Sequence, residues 1–163
     1  MRAVTIALSI VFVLVLAQKP AAADDRDKLV GTWKLVSWVM EDDVTKEQKP
    51  LYGDHPHGYG TFTAAGRAFF LLTGEGRKVP TTDEERGAAL RSMVAYTGNY
   101  RIEGDKFITT VDTAWNEAWV GTDQLRTYKI DGNRLYIVAM SQPNPNFGNR
   151  VMHGILAFER ENK

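Results

Sequence analysis

The sequence predicts an all-β protein: one domain, folded as an antiparallel up-and-down eight-stranded barrel with one inserted helix. Three observations predict it. A chain of 163 residues has room for one ordinary domain with a substantial core. Its 4 Trp, 6 Tyr and 7 Phe, together with 14 Gly, favour strands and tight turns over long helices. About eight strand-like runs follow one another, mostly across short turns, and eight closed strands leave room for one small ligand while removing exposed edges.

The first residues stand apart from this pattern. Arg2 gives a positive end, and Ala3 to Ala17 form an uncharged apolar run too short for a comfortable membrane span. Ala21, Ala22 and Ala23 supply the small residues that a signal peptidase accepts. Residues 1–23 are therefore expected to be a cleaved signal peptide, cut after Ala23, with residues 24–163 as the mature barrel domain and no stable membrane span after cleavage. The expected location is periplasmic or secreted.

Along the mature chain, Leu29 to Met40 is dense in apolar and aromatic residues, and the charged run Glu41, Asp42, Asp43 closes it, so it reads as one long strand. Pro50, Gly53, Pro56 and Gly58 interrupt regular structure before a second strand around Tyr59 to Thr63. Ala64, Ala65 and Gly66 make a turn, and Arg67 to Thr73 resumes as a strand. Thr81 and Thr82, with Glu84 and Glu85 three positions on, form two capping-box registers. They open the only helix expected in the mature chain, from about Thr82 to Ala95, with an apolar stripe of Ala89, Leu90, Met93 and Val94 and a stop at Gly98. Strands are then expected over Tyr100 to Ile102, Phe107 to Val111, Gln124 to Ile130, Leu135 to Met140 and Val151 to Glu159. Glu103-Gly104-Asp105 and Asp131-Gly132-Asn133 mark hairpins between them.

Composition also excludes function classes. Positive and negative side chains balance at 20 each, which is not the surplus that phosphate-backbone binding needs, so nucleic acid is not an expected partner. The absence of cysteine excludes disulfides, thiol nucleophiles and Cys-ligated metals. No nucleophile elbow, phosphate loop, dinucleotide fingerprint or zincin motif is present, and no cofactor is expected.

The run Leu29-Val30-Gly31-Thr32-Trp33-Lys34-Leu35 resembles the opening strand of lipocalin-type barrels, in which a Gly-x-Trp places an indole across the closed end. It is joined in order by Gly58-Tyr59, Ala65-Gly66-Arg67, Tyr96-Thr97-Gly98-Asn99-Tyr100 and Trp119-Val120-Gly121-Thr122-Asp123-Gln124-Leu125-Arg126. Together these resemble the lipocalin-like domain family common in bacteria, across almost the whole mature chain. The resemblance implies an eight-stranded barrel with an internal cavity and says little about substrate. Thr109 and Thr110 depart from it, standing where histidines often appear, so no imidazole role is expected there.

Candidate site residues follow from strand alternation. Gln124, Arg126 and Tyr128 share one face of their strand and Lys129 most naturally points outward, which turns the first three inward. An inward guanidinium holds a carboxylate or phosphate, and a phenol donates a hydrogen bond. The competing reading has Arg126 packing over Trp33 to close the barrel end. Asp112 is a candidate partner of Arg126 or, if desolvated, a base, and is otherwise a solvated strand-end acid. Trp115, Trp119 and Tyr96 are candidates for the apolar wall or lip of a cavity, or for ordinary core. His55 and His57 beside Asp54 specify a closed metal site poorly, so no metal is expected; the lone strand His153 reads as structural. The expectation is a binding protein for a small, mainly apolar or amphipathic molecule. The alternatives are a cofactor-free isomerase or cyclase using the same cavity, and an envelope or interaction protein whose barrel is filled by its own side chains.

Overall fold

The computed structural model describes residues 23–144 and 147–161. Apart from Ala23, the expected leader lies outside the described residues. The chain runs through helix α1 (Ala23–Leu29), β1 (Gly31–Asp42), β2 (Gln48–Pro50), β3 (His57–Phe62), β4 (Arg67–Thr73), helix α2 (Asp83–Arg91), β5 (Met93–Glu103), β6 (Lys106–Ala114), a short 3-10 helix (Glu117–Trp119), β7 (Asp123–Asp131), β8 (Arg134–Ala139), β9 (Gln142–Asn144) and β10 (Arg150–Arg160). All neighbouring strands are antiparallel, in the order β2-β1-β3-β4-β5-β6-β7-β8-β10-β9. Pairing of β1 with β10, from Trp33 opposite Arg160 to Asp42 opposite Met152, closes the sheet on itself. The three-residue β2 and β9 are appended to the seam, which leaves the eight-stranded barrel that the sequence predicts.

Alternation builds the core. On β4, Ala68, Phe70 and Leu72 are buried while Phe69 and Leu71 between them are exposed, and Phe62, Phe107, Leu135 and Phe158 fill one end of the barrel with no exposed surface beyond 1%. That end is closed by α1. Leu29 is fully buried, its carbonyl accepts the Trp33 indole N–H at 2.9 Å, and the Arg160 guanidinium lies 4.0 Å from the Trp33 ring centre. Arg160 also donates to the carbonyls of Val30 and Lys28. The arginine over Trp33 is therefore Arg160, not Arg126.

Two further expectations need correction. Helix α1 was not foreseen, and the first strand starts at Gly31 because Leu29 ends that helix as a plug. The second helix forms with the expected capping box, Thr82 and Glu85 each accepting the other's backbone N–H, but it stops at Arg91. Met93 and Val94 instead start β5, where Val94 pairs with Leu72 and Tyr96 with Phe70; burying alternate residues in the barrel outweighs a helical stripe that would face solvent. Leu90 is accordingly exposed, and α2 buries none of its residues. Gly98 is not a helix stop. It lies beside a bulge that leaves Asp112 of β6 unpaired, and a Cβ there would stand 2.1 Å from the Thr110 carbonyl oxygen.

The seam carries a carboxylate cluster. Buried Asp42 accepts the N–H groups of Val44 and Thr45 at 2.9 Å each and pairs with Arg150 at 3.0 Å. Asp43 lies 2.6 Å from Nδ1 of His153, and Glu41 accepts from Gln48 at 2.8 Å. These contacts hold all three acids below their ordinary pKa values, chiefly through the Thr45 and Val44 amides for Asp42, His153 and Ser141 for Asp43, and Gln48 for Glu41. A carboxylate depressed in the folded state stabilises it above the unfolded pKa and loses that contribution as pH falls through the folded one. Thermal melts should therefore shift downward below about pH 4, the ordinary carboxylate range, and Asp42→Asn should show a smaller acid shift than the wild type.

Candidate functional site

At the end of the barrel away from α1, β1, β4, β5, β7, β8 and β10 surround a cavity of about 60 Å³. Trp38, Phe70, Leu72, Val94, Tyr96, Trp119, Arg126, Ile137, Ala139 and Leu156 line it. The wall is apolar with one cation in it.

That cation is Arg126. Its Nη1 donates to the Leu125 carbonyl at 2.7 Å and Nη2 donates to Oε1 of Gln124 at 3.1 Å, while Nε2 of Gln124 donates to Thr122 at 3.0 Å. Gln124 thus steers the guanidinium from its own strand. The Trp119 ring lies 5.8 Å from the guanidinium carbon, a cation–π distance. Among the described residues no carboxylate lies within ion-pair distance of Arg126.

Trp119 is set by the short 3-10 helix, whose start is capped by Asn116 accepting the Ala118 N–H at 3.2 Å. It meets Tyr96 edge-on at 5.4 Å and Trp115 at 4.8 Å, and Tyr96 in turn stacks on Phe70 at 4.9 Å. Burial pushes the Tyr96 phenol pKa up, opposed by the nearby Arg126 charge, so the hydroxyl keeps its proton at neutral pH.

The structure thus brings Arg126, Trp119 and Tyr96 around one cavity, with Gln124 bonded to Arg126 and Trp115 backing Trp119. Tyr128 points inward as alternation predicts, but it sits deeper, buried against Phe107 at 5.9 Å, and does not line the cavity. Asp112 is not Arg126's partner. It faces outward beside buried Val111 and pairs with Arg67 at 2.7 Å. No imidazole or carboxylate lines the cavity. His153 stands in the seam cluster, and His57 is exposed on β3. Among the described residues no three His, Asp or Glu side chains converge as metal ligands.

Trp38 was missed, and the reason is specific. Trp33 and Leu35 point inward, so strict alternation sends Trp38 outward; a bulge at Val36 inserts one residue and turns Trp38 and Met40 back inside. Nothing in the sequence marks that bulge. Outside the barrel, Tyr59, Phe69 and Leu71 are exposed along a groove of about 540 Å³, which Trp115 also borders.

Among the described residues no helix is long and apolar enough to cross a membrane. Comparison with curated proteins finds no match. Comparison with known protein families matches residues 30–161 to the lipocalin-like domain, a stretch that takes in every barrel strand from the end of α1 to the closing seam. On that match and the closed barrel, the chain belongs to the lipocalin-like domain family.

Proposed function

We propose that the protein binds a small amphipathic molecule whose acid group docks on Arg126 in the barrel cavity, while its apolar part lies against Trp119 and the cavity mouth. One observation carries this reading: a guanidinium turned into an apolar cavity with no carboxylate within ion-pair distance among the described residues. Sequestering a cation from water is costly unless it is paired, and an anionic ligand would supply the pair. The cavity of about 60 Å³ accommodates a head group, not a whole ligand of the usual kind, whose pockets measure about 300 to 1,000 Å³. The remainder of the molecule would occupy the mouth.

The charged N-terminal end, apolar run and triple alanine support export, with residues 24–163 as the mature protein. The same small cavity also favours a second reading, in which the barrel is filled by its own side chains and serves as an envelope or interaction protein. Native mass spectrometry of the mature protein from its own host's periplasm or medium, followed by denaturing extraction, separates the two. A reproducible co-purifying organic acid is the expected result. An empty protein that also fails to bind added short-chain carboxylates at millimolar concentration would sink the binding reading.

A further inference from the structure

The polar groups around the cavity are nearly all donors. Of the five N–H groups of Arg126, Nη1 and Nη2 make one protein bond each, which leaves others for a ligand. Tyr96 keeps its hydroxyl proton. On β1, Nε1 of Trp38 is buried and has no hydrogen-bond partner. Trp38 lines the same cavity as Arg126, and the wall beside its Nε1 is cut back by two small residues. A Cβ on Gly154 would stand 3.1 Å from that nitrogen and 3.7 Å from the Ala139 Cβ. A buried N–H without a partner costs free energy, so its presence beside an open space calls for an acceptor that the protein does not supply.

We infer that Trp38 Nε1 is a second polar subsite, so that the bound acid carries another oxygen acceptor, a keto or comparable carbonyl group, within a few carbons of the carboxylate. The inference rests on the Arg126 reading given above. It excludes simple alkanoic acids as the preferred ligands, because they leave Nε1 bare. The space supports the same conclusion: about 60 Å³ takes a carboxylate and a few further atoms, which places both oxygens inside the walls.

Calorimetric titration of the mature protein with pentanoate, 2-oxopentanoate and 4-oxopentanoate tests this. At least one oxo acid should bind about tenfold more tightly than pentanoate, a difference of one good hydrogen bond. In Trp38→Phe the ratio should fall to near one while pentanoate affinity stays at the wild-type level. Should Trp38→Phe fail to fold, Gly154→Ala crowds the same nitrogen and should lower oxo-acid affinity selectively. Equal binding of all three probes by the wild type, or a preference that survives both variants, overturns the Trp38 subsite and leaves the Arg126 reading standing. If no probe binds, both fall together.

Discussion

Trp33→Ala is expected to lower the unfolding free energy by about 3–5 kcal/mol, the range for emptying a fully buried large aromatic site. Trp33 has no exposed surface, and its indole ties three elements together: the Leu29 carbonyl of α1, the neighbouring strands through Phe62 and Phe158 in the same core, and Arg160 of β10 stacked on its face. Removing it leaves a cavity, an unsatisfied carbonyl and a guanidinium without its aromatic platform. Against a typical total of about 5–15 kcal/mol, that loss is large enough to move the urea midpoint well below the wild-type value. Trp33→Phe separates the contributions, since it keeps most of the apolar surface and removes only the N–H; a loss of about 1–2 kcal/mol is expected there. A Trp33→Ala variant within 1 kcal/mol of wild type would mean that this end of the barrel is not closed by the indole.

Arg126→Met should leave the fold intact and abolish acid binding. The side chain makes only local bonds, to Leu125 and Gln124 of its own strand, and pairs with no carboxylate among the described residues. Replacing it with an apolar chain of similar length removes a partly buried charge and strands no ionic partner, so the melting temperature should hold or rise. Charge-assisted bonds to a ligand carboxylate contribute about 1.5–3 kcal/mol each, so affinity for short-chain carboxylates should fall by at least tenfold and by more than a hundredfold if the grip is bidentate. Arg126→Lys keeps the charge without the planar fork and should recover only part of it. Asp112→Asn is the matched control: its carboxylate faces outward onto Arg67, and its loss should leave binding unchanged. A collapse of the fold in Arg126→Met, with no ligand-specific effect, would assign Arg126 to packing.

Legibility in the sequence followed the range of the interactions. Strands whose alternation is unbroken, such as β4 and β7, could be read directly: Ala68, Phe70 and Leu72 turn inward on one, and Gln124, Arg126 and Tyr128 on the other. The capping box of α2 was equally plain, because Thr82 and Glu85 act within one helical turn. The end of that helix was not, since Val94 joins β5 by pairing with Leu72, a residue 22 positions earlier in the chain.

What the sequence determined by itself was the class of fold, the approximate strand count and the parity of side chains within each regular run, all of which depend on local periodicity and turn chemistry. The tertiary structure decided three things that local pattern does not carry. A one-residue bulge at Val36 turned Trp38 into the cavity, and Arg160, rather than Arg126, took the place over Trp33. The width of the interior was settled where Phe70, Tyr96, Trp119 and Leu156 meet, leaving about 60 Å³. Each depends on which strands face one another once the sheet has closed, and closure joins β1 to β10 across more than a hundred residues of chain.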